Sequence, residues 1–280
     1  MTSVEMISFN CRSVKRSCQH IRDLCCEYQV IAIQEHWLLP NLDFLNTIDD
    51  KFRAYGVSAV DTTSVLKGRP YGGVAILWRK DMFPTVNHIY CGNPRVTAVR
   101  SELACRSIIV VSVYMPTEAG DNLPMFTECL EVISAVIASH DDVESVIICL
   151  GGFNGDVSHK NSLFGHELVA YCAEEHWTCA DVSTLGVMSG TYTYLSDAHG
   201  TTSWIDHVVV TSAALRALRG VRVLNNVYWS NHFPLAVEFD FYRNEIFAAT
   251  NILNQPIQTG LAGEPVSTDA WRRYSPEKIE

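Results

Sequence analysis

Short runs of valine and isoleucine alternate along the chain with segments whose apolar residues recur at helical spacing. The runs predict strands, because β-branched residues bounded by polar turns favour extended backbone. We predict eight strands: Val4–Phe9, Val30–Gln34, Gly73–Trp78, Val96–Ser101, Ser107–Tyr114, Ser145–Leu150, Ile205–Thr211 and Phe233–Phe241. Continuous apolar runs such as residues 108–111 are typical of strands buried on both faces, which requires helices outside the sheets.

Three amphipathic segments predict those helices, since each places its apolar residues on one face. They cover about Lys15–Tyr28, Asn122–Ser139 and Ser162–His176. Strands and helices in this arrangement predict an α/β sandwich. After Phe241 the periodicity ends and Asn, Gln, Gly and Pro become frequent. We therefore predict one domain over residues 1–242, followed by a linker over residues 243–280.

The composition narrows the possible classes of protein. The chain has 280 residues, of which 48% are hydrophobic, enough for one large domain or two small ones. No apolar run reaches the roughly 18–20 residues of a membrane span, and no secretory signal is visible, so we expect an intracellular protein with no membrane partner. The net charge of −10 predicts weak sequence-independent binding of nucleic acid, because basic residues supply most of that affinity.

The ten cysteines do not resemble a disulfide framework. None forms a Cys-x-x-Cys pair and most lie within apolar patterns, which predicts reduced thiols in the core. His166, Cys172, His176 and Cys179 are close in sequence, but their spacing matches no common zinc pattern.

Polar residues stand where several predicted strands end, and their chemistry suits cleavage of a phosphodiester. Such a reaction needs a cation, groups that hold phosphate oxygens and a group that stabilises the leaving oxygen. Magnesium prefers oxygen ligands, and Glu35 follows a buried strand. Taken singly, Glu35 also fits a solvated loop, Asn10 a turn, and Tyr114 a half-buried aromatic residue.

Asp206 and His232 indicate a catalytic site more strongly than Glu35, Asn10 or Tyr114 does alone. Asp206 lies within an apolar run, where a charge must be paired or hydrogen-bonded. His232 lies at the entry to the last predicted strand, so the two could form an imidazole oriented by a carboxylate. A lone histidine is more often structural, but the order of all the polar signatures favours a catalytic pair.

Seven motifs extend this pattern across the chain. They are Phe-Asn-Cys-Arg-Ser at 9–13, Gln-Glu-His-Trp at 34–37, Tyr-Gly-Gly-Val-Ala-Ile-Leu-Trp at 71–78, Val-Tyr-Met-Pro at 113–116, Thr-Tyr-Thr-Tyr at 191–194, Trp-Ile-Asp-His at 204–207 and Ser-Asn-His-Phe-Pro-Leu at 230–235. Together they resemble the endonuclease domain of a non-LTR (LINE-type) retrotransposon. The chain is thus similar to the wider endonuclease/exonuclease/phosphatase superfamily, which includes DNase I and the apurinic endonucleases.

The resemblance implies a fold and an activity. The fold is a four-layer α/β sandwich with two central, mostly antiparallel sheets flanked by helices. The activity is nicking of target DNA with Mg²⁺ or Mn²⁺, which leaves a 3′-hydroxyl to prime reverse transcription. The implied partners are DNA and a reverse transcriptase region of the same polyprotein, and this role implies access to the nucleus.

The resemblance also implies roles for matching residues. The catalytic candidates are Asn10, Glu35, Tyr114, Asn154, Asp206 and His232. Asp206 would orient His232, which would stabilise the transition state. The implied metal ligands are Glu35, Asn10 and Asn231, and the implied substrate contacts are Arg12, Thr193 and Ser230.

The chain departs from the family pattern at two positions. Leu-Gly-Gly-Phe-Asn at 150–154 has Gly152 in place of the water-activating aspartate, and Asn231 replaces the aspartate of Ser-Asp-His. Acid–base groups of this kind contribute about 10²- to 10⁴-fold in rate, so we predict impaired catalysis. Asp156 is near but is expected to point elsewhere. Two alternatives remain: an inactive DNA- or protein-binding module of the same fold, and a phosphatase or lipid phosphodiesterase of the superfamily.

Overall fold

The computed structural model describes residues 3–63, 65, 68, 70–103, 106–140 and 145–242. The predicted linker over residues 243–280 lies outside the described residues. No helix within the described ranges is long and apolar enough to cross a membrane.

The strands in chain order are β1 Val4–Asn10, β2 Val30–Gln34, β3 Phe52–Val57, β4 Val74–Arg79, β5 Val86–Ile89, β6 Val96–Leu103, β7 Arg106–Tyr114, β8 Val146–Gly152, β9 Thr178–Cys179, β10 Tyr194–Leu195, β11 Thr202–Ser203, β12 Asp206–Val210, β13 Leu218–Val223 and β14 Leu235–Phe239. The α-helices are α1 Cys18–Glu27, α2 Leu123–Ala138, α3 Leu163–Glu174, α4 Ala180–Leu185 and α5 Ser212–Ala217. Two short 3₁₀ helices cover Asp43–Thr47 and Gly120–Asn122.

Two six-stranded sheets form the centre of the fold. One has the order β13-β14-β1-β2-β4-β3 and the other β5-β6-β7-β8-β12-β9. The pairs β1–β2 and β7–β8 are parallel, and the other neighbouring pairs are antiparallel. The predicted fold class, a DNase I-like α/β sandwich, is confirmed.

Successive side chains of the central strands point alternately into two cores, because neighbouring residues of a strand lie on opposite faces of the sheet. On β8, Val146 and Ile148 face the core between the sheets. Ile147 and Cys149 face an outer core that includes Phe126 of α2 and further residues of α3. A third core lies between α1 and the other sheet. The result is four layers, and strands buried on both faces explain the continuous apolar runs.

The eight predicted strands are present, with bounds that differ by at most two residues. Helix α1 begins at Cys18 rather than Lys15, because Ser17 donates its hydroxyl to the Cys11 carbonyl at 2.8 Å and the residues before it form a turn.

The nine described cysteines are free thiols. Burial raises the pKa of Cys25 and of Cys172 to about 12, so both stay protonated at neutral pH.

Candidate active site

The strand pairings bring the ends of four strands and the start of a fifth to one edge of the sandwich. In the first sheet Asn10 pairs in register with Gln34, the residue before Glu35. In the second sheet Gly152 pairs with Tyr114 on one side and with Asp206 on the other. The candidate catalytic cleft at this edge has a volume of about 300 Å³ and is lined by Arg12, Glu35, Trp37, Tyr114, Thr117, Asn154, Tyr194, Ile205, Asn231 and His232.

A chain of polar contacts links the two sheets beneath this cleft. The Asn10 amide donates to Glu35 Oε1 at 2.9 Å and lies 3.4 Å from His232 Nε2. His232 Nδ1 lies 3.0 Å from Asp206 Oδ2. With the imidazole proton on Nδ1, the ring donates to Asp206 and its Nε2 accepts from Asn10. The carboxylate of Asp206 therefore fixes which nitrogen of His232 faces the cleft.

Thr193 positions Asp206 from within the protein. Its side chain is fully buried, and its hydroxyl oxygen accepts from the backbone N–H groups of Ile205 at 3.1 Å and Asp206 at 2.9 Å. Its own carbonyl accepts from the N–H of Phe233 at 2.7 Å. The resemblance implies DNA contact for Thr193, whereas the structure engages its hydroxyl internally, between the segments that carry Asp206 and His232.

We expect Thr193→Val to destabilise the fold by about 1–3 kcal/mol, because valine keeps the shape and leaves two buried N–H donors without an acceptor. Urea denaturation measures the change. Thr202→Val, at an exposed position on β11, is the control and should change the free energy of unfolding by less than about 0.5 kcal/mol. Equal stability of the two variants would show that the Thr193 hydroxyl is dispensable.

Glu35 and Tyr114 face each other across the cleft. The indole N–H of Trp37 donates to Glu35 Oε2 at 3.0 Å, so both carboxylate oxygens of Glu35 accept hydrogen bonds. Burial raises the pKa of Tyr114 well above its usual value, and the charge of Glu35 and a hydrogen bond to it add to the rise. The Tyr114 hydroxyl therefore stays protonated at neutral pH and is hydrogen-bonded to Glu35.

The loops that carry these residues hold unusual backbone. Arg12, Glu35, Trp37 and Asn154 have φ values of 43°, 54°, 56° and 53°, in the left-handed region. Such conformations cost roughly 1–3 kcal/mol each and persist where surrounding contacts enforce them. Asn154 is held by its amide, which donates to the Met115 carbonyl at 2.7 Å, and by its backbone N–H, which donates to the Ile205 carbonyl at 3.0 Å.

Gly152 lies between Tyr114 and Asp206 without any conformational need for glycine. A Cβ at this position would lie 3.4 Å from Asp206 Oδ1 and 3.5 Å from Tyr114 Cδ2, which are ordinary contacts. At the neighbouring Gly151 a Cβ would lie 2.1 Å from the Val113 carbonyl oxygen, so that glycine is required. Asp206 Oδ1 is buried and has no hydrogen-bond partner among the described residues. A side chain at position 152 would thus point at an unsatisfied carboxylate oxygen.

Asn231 binds the guanidinium of Arg12, whose Nη1 donates to Asn231 Oδ1 at 2.8 Å. An aspartate here would pair with Arg12 and neutralise it, whereas the amide leaves the positive charge uncompensated. Ser230 donates its hydroxyl to the Asn10 carbonyl at 3.2 Å and accepts from the His232 N–H at 3.1 Å. Ser230 therefore supports the loop that carries His232.

The cleft offers a limited set of metal ligands. Among the described residues that line it, Glu35 is the one carboxylate, and Asn231 adds an amide oxygen that now accepts from the Arg12 guanidinium. The buried amide of Asn10, which is hydrogen-bonded to Glu35, is the third candidate donor. Magnesium is commonly held by one or two carboxylates together with water and substrate phosphate, so these donors fit a weak magnesium site. Asp156 does not contribute, because its carboxylate accepts from Ser158 and from the N–H of Trp204 at 3.1 Å.

A second polar cluster, which the sequence did not reveal, lies behind the cleft. Asp181 and His207 are fully buried, and His207 Nδ1 lies 2.8 Å from Asp181 Oδ2. Asp181 also accepts from the indole of Trp204 at 2.8 Å and from the Val208 N–H at 2.9 Å. Within the described ranges, Cys179, Asp181 and His207 are the residues grouped closely enough to share a metal ion. Their polar atoms are already engaged with one another, which is typical of a structural pair.

The comparisons with solved structures agree with this architecture. The AP endonuclease LMAP from Leishmania major has a TM-score of 0.69 and 13% identity, covering 85% of this chain and 87% of that one. The 3′ phosphatase NExo from Neisseria, bound to product DNA hairpin, has a TM-score of 0.63 and 18% identity, covering 85% and 100%. The endonuclease domain of TRAS1, a telomere-specific non-LTR retrotransposon, has a TM-score of 0.65 and 14% identity, covering 86% and 100%.

At these identities the likeness establishes the fold alone, and no curated protein is significantly similar in sequence. The two-sheet sandwich brings Glu35, Asn10, His232 and Asp206 together at one edge. Residues 7–232 match the Endonuclease/Exonuclease/phosphatase family, and the chain belongs to that family. Its enzymes typically depend on a divalent metal ion.

Proposed function

We propose that this chain is the DNA-nicking endonuclease domain of a LINE-type retrotransposon, with impaired catalysis. The observation that carries the proposal is the continuous polar chain from Glu35 through Asn10 and His232 to Asp206. It joins a carboxylate suited to a metal ion to an oriented imidazole. The seven sequence motifs support the retrotransposon assignment, and the TRAS1 endonuclease domain shows that a retrotransposon endonuclease can have this fold.

The residues of the cleft divide the chemistry among them. Glu35, with the amide oxygens of Asn10 and Asn231, would hold Mg²⁺ or Mn²⁺, which supplies positive charge to the phosphate and the departing oxygen. His232, oriented by Asp206 through Nδ1, would donate from Nε2 to a phosphate oxygen as charge develops. This donation requires the doubly protonated ring and release of Nε2 by the Asn10 amide. Tyr114 supplies a neutral hydroxyl donor.

Activation of the attacking water is the step for which this chain is least equipped. In the family pattern an aspartate occupies position 152, and glycine has no group that can accept a proton. A Cβ at this position would have room beside Asp206 Oδ1. We therefore propose slow hydrolysis by this chain.

The absence of a carboxylate at position 152 also favours a second candidate function, a non-catalytic DNA-binding module of this fold. The missing carboxylate at position 152 and the uncompensated charge of Arg12 both lower the negative charge of the cleft. That change favours binding of phosphate over its cleavage.

The proposed function requires a DNA substrate and a second enzymatic region. The substrate would be target DNA, and the nick would leave a 3′-hydroxyl that a reverse transcriptase region of the same polyprotein extends. Residues 243–280 would link the two regions, and the role requires access to the nucleus.

We expect the chain to convert supercoiled plasmid slowly to the nicked form with Mg²⁺ or Mn²⁺, and His232→Ala to lower the rate by at least about 10²-fold. Extension of the nick by a DNA polymerase tests for the 3′-hydroxyl. A phosphoinositide, assayed in parallel, tests the phosphatase alternative. Plasmid binding without His232-dependent nicking would favour the non-catalytic module, and preferential hydrolysis of the phosphoinositide would exclude the endonuclease.

A further inference from the structure

A second pocket opens beside the catalytic cleft. This side pocket has a volume of about 380 Å³ and is lined by Arg12, Arg16, Ser17, Trp37, Tyr228 and Trp229. Arg12 and Trp37 line both the side pocket and the catalytic cleft. A strand of substrate with its phosphate in the cleft would therefore place a neighbouring nucleotide at the side pocket.

The side pocket carries a pre-ordered aromatic surface. Trp229 is stacked on His20 of α1, with ring centroids 3.6 Å apart and ring planes 8° apart, yet it remains 38% exposed. Tyr228 beside it is 90% exposed. Large aromatic side chains bury much apolar area when they stack on a flat ligand. Because His20 already holds the indole in place, binding on Trp229 would cost little side-chain ordering.

The same pocket carries positive charge on a chain whose net charge is −10. Within the part of the chain that the structure describes, neither Arg12 nor Arg16 lies within ion-pair distance of a carboxylate. Arg12 is held by the neutral amide of Asn231 instead. Guanidinium groups bind phosphate through paired hydrogen bonds, so these two residues offer a phosphate site next to the aromatic surface.

We propose that the side pocket binds one unpaired nucleotide of a DNA strand, with the base against Trp229 and Tyr228 and its phosphate on Arg12 and Arg16. This inference rests on the proposed function, because it takes DNA as the substrate. A base offers its face to an aromatic side chain only when it leaves the stack of the duplex. The side pocket would therefore direct the chain to DNA in which a nucleotide next to the scissile phosphate is unpaired.

The test measures affinities of the full chain, without metal ion, for three fluorescent DNA duplexes. One is fully paired, one carries a single unpaired nucleotide, and one carries an abasic unit at the same place. Base–aromatic stacking contributes enough that Trp229→Ala should weaken binding of the unpaired nucleotide by about 5- to 150-fold. The other two duplexes should bind as before.

Three further variants sharpen the result. Tyr228→Ala should act in the same direction, and its exposure means that the fold does not depend on it. Arg16→Gln should weaken all three duplexes and lower the slope of log affinity against log salt by about one. Tyr90→Ala, which removes an aromatic residue that is 88% exposed and lies outside both pockets, is the matched control and should change nothing.

Equal weakening of all three duplexes by Trp229→Ala, or no preference of the chain for the unpaired nucleotide, would overturn the inference. The measurement does not depend on cleavage. A chain that fails to nick but binds the unpaired nucleotide through Trp229 would disprove the endonuclease and keep the side pocket. A chain that nicks plasmid but shows no preference for the unpaired nucleotide would support the endonuclease and disprove the proposed role of the side pocket.

Discussion

Restoring aspartate at positions 152 and 231 together should raise the rate of plasmid nicking by about 10²- to 10⁴-fold, the usual contribution of an acid–base group. Gly152→Asp meets no steric obstacle among the described residues, since a Cβ there makes only ordinary contacts with Asp206 and Tyr114. The new carboxylate would enter the cleft beside the Asp206–His232 pair, where an attacking water could lose its proton.

The two single variants should differ in how much of the nicking rate they recover. Asn231→Asp would place a carboxylate on the Arg12 guanidinium, now 2.8 Å from the amide oxygen, and much of its charge would be neutralised there. It would also leave the water without a base, so we expect little recovery. Gly152→Asp should recover more. Because residues that act as one unit are strongly non-additive, the double variant should exceed the product of the two single gains.

Single-turnover nicking in Mg²⁺ measures these rates. The control is Gly120→Asp with Asn225→Asp, which makes the same chemical changes at exposed positions that do not line the cleft. A Cβ at Gly120 meets no atom of the described residues within 4 Å, so the control should fold and leave the rate unchanged. If the unaltered chain nicks as fast as the double aspartate variant, positions 152 and 231 do not take part in the chemistry.

The strands that the sequence did not predict show where periodicity fails. Six of the fourteen strands in the described residues were not predicted, and three of them, β9, β10 and β11, have only two residues each. The other three, β3, β5 and β13, lie at sheet edges and are largely half-buried or exposed, so none of these forms an apolar run. The predicted strands lie mainly in the interior of the sheets, where burial on both faces enforces valine and isoleucine. Strand prediction therefore succeeded where burial dictates residue type and failed where pairing alone defines the strand.

At the site, sequence motifs selected residues that the structure brings together, but they did not show what each of those residues contacts. The motif marks Gly152 as the position that departs from the family pattern, but only the approach of the Val113 carbonyl oxygen shows that Gly151 is required as glycine and that Gly152 is not. Thr193 was predicted to contact DNA, because a motif carries no information about burial; its hydroxyl serves the backbone instead. The pairing of Asp181 with His207 depends on tertiary contact between α4 and β12, which no local pattern encodes.

The buried pair of Asp181 and His207 should make the stability of the fold depend on pH. Both ring nitrogens of His207 face acceptors: Nδ1 lies 2.8 Å from Asp181 Oδ2, and Nε2 lies 2.8 Å from the Gly155 carbonyl oxygen. This arrangement favours the doubly protonated ring. Burial alone would lower the pKa of His207, but the charge of Asp181 and the hydrogen bonds outweigh it, and the pKa is raised above 6.5.

The raised pKa of His207 in the folded state determines whether the pair loses stability as pH rises or as it falls. The pair contributes its full stability below the unfolded pKa of about 6.5, and the contribution is lost as pH rises through the higher folded pKa. Removing one partner of a buried ion pair costs about 3–5 kcal/mol. We therefore expect His207→Gln to lower the free energy of unfolding by about that amount at pH 6, and by less at pH 9.

Urea denaturation across this pH range tests the expectation, with His199→Gln at an exposed position as the control. A loss for His207→Gln that stays constant from pH 6 to pH 9 would mean that the folded ring is neutral. The consequence reaches the active site, because His207 follows Asp206 directly and binds the carbonyl of Gly155, the residue after Asn154. A variant that loses the pair should therefore also lose the alignment of Asp206 with His232, so nicking by the double aspartate variant should fall when His207 is replaced.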